Sequence, residues 1–159
     1  VIHPKTLQPL KQKNIPFYVK SFVEPMKPGT KVGNSDKNQS EKSYILKENQ
    51  VLINISTRDF SFIAEDHISQ IFNLLAKHKV KVSLMQNSAI SLALCLEDKF
   101  GKIDVVNEEL NLKFNTDLVK NVSLYTVRNA NLDELSKFYE NKKVLLEQIS
   151  KQTVQIVTN

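Results

Sequence analysis

Two stretches of the chain say nearly the same thing. "KVSLMQNSAISLAL" (81–94) and "KVLLEQISKQTVQI" (143–156) align without a gap at an offset of 62. Lys81, Val82, Leu84, Gln86 and Ser88 face Lys143, Val144, Leu146, Gln148 and Ser150, and Leu92 and Leu94 face Val154 and Ile156. Each stretch reads as two alternating strands around a short polar turn. The first turn holds no Gly or Pro, although a tight hairpin usually wants one. A fold for this chain must therefore use one supersecondary unit twice.

What precedes each copy extends the repeat. Before the first come "YILK", the strand "VLINIS" (51–56) and the amphipathic helix "FIAEDHISQIFNLLAKH", with Ala64, Ile68, Ile71, Phe72 and Leu75 on one face. Before the second come the helix "IDVVNEELNLKF", with Ile103, Val106 and Leu110 on one side, and the strand "VSLYTVRN". A short helix "LDELSKFYEN" follows, with Leu132, Leu135 and Tyr139 inward. Strand–helix–strand–strand thus occurs twice.

The expected class is α+β: two ferredoxin-like βαββαβ units with helices on one face of antiparallel sheets. The first copy can nearly complete that unit, whereas the second lacks its last helix and strand. An incomplete sheet leaves an open edge. The N-terminal piece supplies what is missing, "YILK" as a strand and "HPKTLQPLKQKN" (3–14) as a helix, so one copy is inserted in the other. The expected divisions are 51–121 for the first domain and 44–50 plus 122–159 for the second. Residues 1–43 form a leading segment, in which "IPFYVKSF" is a strand and 33–43, with nothing to anchor a core, a mobile loop.

The chain has 159 residues, enough for one domain or two small ones. It opens at Val1 and is read as a piece of a longer protein. No apolar run approaches the roughly 20 residues of a membrane span, and nothing resembles a signal peptide. Cys95 has no partner for a disulfide and sits in the apolar pattern "ISLALCL", as a small buried hydrophobe in a reducing cytoplasm. The net charge of +5 is uneven: residues 1–50 carry nine lysines against four acidic residues, and the remainder is balanced. Those lysines are scattered, as on a solvated face.

Catalytic patterns are missing. Gly29, Gly33 and Gly101 form no phosphate loop. His3, His67 and His78 lack metal-ligand spacing, and the two on the first long helix read as cap or surface residues. Glu65 and Asp66 suit a helix start electrostatically. The repeated Gln-x-Ser remains. An amide and a hydroxyl can hold the carboxylate and ammonium of a free amino acid, with backbone donors of the helix start at 62–65 nearby. The same residues also serve as a plain polar turn copied by duplication.

"VIHPKTLQPLKQKNIPFYVKSF" followed by "PGTKV" resembles the junction after the kinase domain of aspartokinases. "FSFIAEDHISQIFNLLAKHKVKVSLMQNSAISLAL" is similar to the first ACT domain of those enzymes, and "KKVLLEQISKQTVQIV" to the end of the second. The resemblance covers nearly the whole chain, in order. It implies a nested pair of ACT domains that bind an end-product amino acid, threonine or lysine. That binding feedback-inhibits phosphorylation of aspartate in lysine, threonine and methionine biosynthesis.

The resemblance further implies a homodimer through ACT domains, an upstream kinase domain, and no nucleic-acid or membrane partner. The fragment itself would hold no cofactor and be no catalyst; ATP and Mg²⁺ belong to the parent aspartate kinase. By position in the family, Phe60, Ala64, His67, Ile68, Val82, Ser83, Asn87, Ser88 and Ala89 line the effector of lysine-sensitive members. Gln86 and Gln148 match amides used for threonine in plant-type members, and Ser150 is the duplicate of Ser88. Where lysine-sensitive members often carry Asp and Glu, this chain has Ser83 and Ala89. That removes two partners for a lysine ammonium and leaves Glu65 and Asp66 as the nearby carboxylates. The rival readings are a dimerisation module that senses nothing and an RNA-binding sheet; the strands "ISLALCL" and "TVQIV" offer no aromatic to stack a base.

Overall fold

A computed structural model describes residues 4–33, 42–129 and 142–159. The chain divides into two compact units, Val1–Ser40 and Glu41–Asn159. The expected helix "LDELSKFYEN" and most of the loop expected at 33–43 lie outside the described residues.

The first unit holds helix α1 (Pro4–Gln12) and an antiparallel pair, β1 (Phe17–Val19) and β2 (Thr30–Val32), with Phe17 opposite Val32. Pro9 sits inside α1, where it removes only one backbone donor close to the first turn. Gly29 (φ 71°) is required where the chain turns into β2, because a Cβ there would stand 2.3 Å from the Val19 carbonyl oxygen. None of this unit's described side chains is buried.

The second unit is built on one six-stranded antiparallel sheet. Its elements in chain order are β3 (Ser43–Thr57), α2 (Glu65–Lys77), β4 (Lys81–Asn87), β5 (Ser91–Glu97), α3 (Ile103–Asn111), β6 (Phe114–Arg128), β7 (Val144–Ser150) and β8 (Thr153–Thr158). The spatial order is β4-β5-β3-β6-β8-β7. "YILK" and "VLINIS", expected as separate strands, are one strand, β3. Its far half (Val51–Ser56) pairs with β5, and its near half, from Ser43 to Lys47, pairs with the end of β6, from Leu124 to Arg128. A bulge lets the ladder run through: Asn49 (φ 54°) and Asn121 (φ 58°) take the left-handed conformation that asparagine tolerates, at the same level of the paired strands.

The second helix was expected to reach 114, but α3 stops at Asn111, and Phe114 opens β6 opposite Thr57. Burial decides this, because the Phe114 ring belongs to the core under the helices while Leu112 is exposed. Phe72, assigned to the apolar face of α2, is also exposed; Ile71 and Leu75 carry that face inward.

Two apolar layers flank the sheet. Val51, Ile53, Ile55, Leu92, Leu94 and Leu96 meet Ile71 and Leu75 of α2 and Val106 and Leu110 of α3. The opposite face buries Leu52, Leu84, Cys95, Val122, Leu124, Leu146 and Val157, so all six strands contribute to that layer. Each such aliphatic side chain contributes roughly 1.5–3 kcal/mol on leaving water. Burial pushes the Cys95 thiol up to about 11, which keeps it protonated and inert.

Candidate functional site

The stretch between β3 and α2 is fastened locally. Thr57 Oγ1 donates to the Ser61 carbonyl (2.7 Å), and the Asp59 carboxylate accepts from the Ser61 hydroxyl (2.7 Å) and backbone N–H (3.1 Å). Those bonds hold the Asp59 carboxyl below its usual range. Phe60 stands at the crest with φ 58°, a conformation unusual for an aromatic residue, and is 88% exposed beside the exposed Phe62. Backbone strain of this kind collects at ligand clamps and switch segments.

The α2 start lacks a side-chain cap at Ala64; instead the Ala64 N–H donates to Nδ1 of His67 (3.2 Å). The imidazole packs edge-on against Phe114 at 5.6 Å between centroids. The Ile63 N–H donates to the Ala89 carbonyl (2.9 Å). This bond joins the helix start to the β4–β5 turn. It also means that two of the backbone donors expected at 62–65 are already engaged.

β4 is an edge strand. Its outer backbone groups have no partner strand among the described residues, and a ligand there can reach side chains from both faces. Ala64 caps α2 next to Ile63, which is bonded to Ala89 in the turn; Asn87 ends β4, and Val82 and Ile68 pack against the same core. Gln86 is exposed opposite Ala93 and has no side-chain hydrogen bond among the described residues. Alternation places Gln86 on the face of Leu84 and Asn87 on the other. Ser88 is committed to the turn: its Oγ lies 2.8 Å from Ser91 Oγ and accepts from the Ser91 N–H at 3.2 Å, and its own N–H donates to the Ser91 carbonyl at 2.8 Å. That closure explains a hairpin without glycine.

Ser83 lies in a bulge, where the register shifts between Val82 and Leu84. Its hydroxyl donates to Gln50 Oε1 (3.0 Å) and accepts from Lys47 Nζ (3.1 Å). Gln50 is buried, and its Nε2 donates to the Glu48 carbonyl (3.1 Å). Sequence reasoning missed Lys47 and Gln50, because only the bulges in β3 and β4 bring them to Ser83. Gln148 and Ser150 lie on β7, at the opposite edge of the sheet. Gln148 sits opposite Gln155, as Gln86 does opposite Ala93, and the register shifts again between Val144 and Leu146. The duplication therefore extends to the bulge. A second missed group is a pocket of about 370 Å³ beyond His67, lined by Arg58, Asp59, Ser61, Gln70, Lys113 and Phe114.

The strand order of the first copy, β4-β5-β3-β6, and that of the second, β7-β8-β6-β3, match when the long strands are shared. This is the ferredoxin-like ACT architecture used twice, one copy threaded through the other. No family model matches the chain. Over 98 residues, 61% of its length, it is 32% identical to the lysine-sensitive aspartokinase 3 of Escherichia coli. It spans about a fifth of the curated relatives it matches, 22% of that enzyme and 20% of the chloroplastic aspartokinase 3 of Arabidopsis thaliana.

Among solved structures, Escherichia coli aspartokinase III in complex with lysine and aspartate (T-state) superposes with a TM-score of 0.73 at 22% identity, over 99% of this chain and 38% of the other. A putative C-terminal regulatory domain of aspartate kinase from Porphyromonas gingivalis gives 0.60 at 12% identity, over 74% and 85%. The chain is a relative of the aspartokinases and has the fold of their C-terminal regulatory region. Among the described residues, no helix is long and apolar enough to cross a membrane.

Proposed function

We propose that this chain is the effector-sensing regulatory part of an aspartokinase. It binds an end-product amino acid, threonine or lysine, and feedback-inhibits a kinase part that phosphorylates aspartate in the cytoplasm. ATP and Mg²⁺ belong to that kinase part. The chain works as a homodimer whose mates meet through the ACT sheets. The effector lies along the β4 edge, between the α2 start and the hairpin. There the free backbone groups of an edge strand complement an α-carboxylate and an α-ammonium. Gln86 and Asn87 supply amides, Phe60 covers the ligand, and Gln148 and Ser150 form the duplicated counterpart. An effector that prefers one arrangement of paired domains shifts the population toward it, with a coupling of typically about 1–3 kcal/mol.

The observation that carries this reading is the joining of the α2 start to the β4–β5 turn through Ile63 and Ala89, in a chain 32% identical to a lysine-sensitive enzyme. A thermal-shift panel of the twenty amino acids tests it. An effector at about 100 times its dissociation constant stabilises by roughly 2.7 kcal/mol. If none raises the melting temperature, and calorimetry finds no heat with threonine or lysine, the chain is a dimerisation module that senses nothing.

A further inference from the structure

The pocket of about 370 Å³ beside His67 holds more positive charge than its own carboxylate answers. Arg58, one residue past β3, donates to the carbonyl of Asn111 at the end of α3. Lys113, two residues past α3, donates to Gln70 Oε1 at 3.0 Å. Both cations therefore rest on neutral oxygens, and each keeps further N–H donors. Other lysines of this unit find carboxylates: Lys77 holds Glu109 at 2.8 Å and Lys120 holds Asp104 at 2.6 Å. Among the described residues, no carboxylate stands within ion-pair distance of Arg58 or Lys113. Asp59 lines the same pocket, but its carboxylate accepts from the hydroxyl and backbone N–H of Ser61 in its own loop. His67, also in the lining, adds a donor. Its Nδ1 accepts from the Ala64 N–H, so in the neutral ring the hydrogen sits on Nε2.

We propose that this pocket is an anion site: Arg58, Lys113 and the His67 Nε2–H take an oxyanion, the phosphate or carboxylate group of a small metabolite. No described residue of β4 lines it, so it is distinct from the effector edge and does not rest on the sensing reading. An oxyanion there joins the loop after β3, which carries Phe60, to the end of α3. Calorimetric titration of the chain at low ionic strength with inorganic phosphate and, separately, with succinate tests this, with chloride at matched ionic strength as the blank. At least one anion should bind saturably, with a dissociation constant below about 5 mM; the tighter one tells a phosphorylated metabolite from a carboxylic one. Lys113→Gln and Arg58→Gln should each weaken that binding at least about fivefold, whereas Lys102→Gln, at the other end of α3, should leave it unchanged. Thermal melts establish that the variants fold; if loss of the Arg58 bond unfolds the chain, Lys113→Gln decides alone. Binding of neither anion overturns the proposal. So does binding that Lys113→Gln leaves intact, or that Lys102→Gln weakens as much. The amino-acid panel is read separately, so the sensing reading stands or falls on its own.

Discussion

Replacing Gln148 by methionine should make the unliganded protein more stable. The Gln148 Oε1 atom is buried and has no hydrogen-bond partner among the described residues. An acceptor in that condition costs about 1–3 kcal/mol of desolvation that folding does not recover. Methionine keeps the length of the stem and discards the carbonyl, so the penalty goes without opening a large cavity. The side chain is only half-buried, which places the gain near the lower end of that range, at about 1 kcal/mol. For a unit of about 120 residues, that shift raises the melting temperature by roughly 3–4 °C. Urea and thermal unfolding of parent and variant, each with and without saturating threonine, measure both quantities. If Gln148 also contacts an effector in the second copy, the variant should gain stability alone yet respond less to the amino acid. A variant less stable than the parent by 1 kcal/mol or more would show that the carbonyl is satisfied in solution, and the argument from its isolation fails.

Gln86→Ala should weaken effector binding by about 5- to 150-fold, the equivalent of roughly 1–3 kcal/mol. Its stability should change by less than about 0.5 kcal/mol, because the exposed amide has no side-chain hydrogen bond among the described residues to lose; calorimetry paired with thermal unfolding reads both, and unchanged affinity with lost stability would make the strand end purely structural. Asp98→Ala should cost about 1–2 kcal/mol at neutral pH, since the Asp98 carboxylate accepts from the Ile103 N–H at 2.8 Å and the Phe100 N–H at 3.2 Å at the start of α3. Burial raises this carboxyl's pKa, but the backbone donors of Lys102, Ile103, Phe100 and Gly101 together outweigh it and hold the value low. Its contribution is therefore complete above the unfolded value of about 3.9 and fades as pH falls through the lower folded value, so parent and variant should converge in acid; a gap that stays constant from pH 7 to pH 2 would rule out the carboxylate as its source.

Much of the fold was legible because the repeat carries its own constraints. Apolar alternation in 81–97 and 143–158 located four strands, and the i, i+4 spacing of Ile71 and Leu75 and of Val106 and Leu110 located two buried helix faces. The misreadings fall where local pattern and tertiary burial disagree. "KENQ" has no apolar alternation, yet β3 runs through it, because Gln50 is buried by side-chain hydrogen bonds rather than by hydrophobicity. Phe114 fits a helical period with Leu110, but a strand partner at Thr57 and space under α2 draw it into β6. Among the candidate site residues, the helix-start donors at 62–65 were expected to be available to a ligand, yet the Ile63 N–H is spent on the Ala89 carbonyl and the Ala64 N–H on His67, bonds that no local pattern announces. The packing of His67 against Phe114 was not expected either, because that ring contact links residues 47 positions apart.

The bulges explain both the success and the failure. A one-residue slip in a ladder exchanges the two faces of a strand, so a sequence reader who misses a bulge assigns every later side chain to the wrong side. Here Val82 packs with the helix-side core while Leu84, two residues on, packs with the opposite layer. Strict alternation would have put both on one face. The same slip recurs between Val144 and Leu146. A defect copied along with the repeat has a role that simple strand pairing does not require. In the first copy that role is visible: the bulge delivers Ser83 to Gln50 and Lys47, on the stretch of β3 that leads into its pairing with the second copy. β4 is thereby tied to the strand both copies share. A ligand that moves β4 must strain or break that tie, which gives the first copy a physical means of acting on the second.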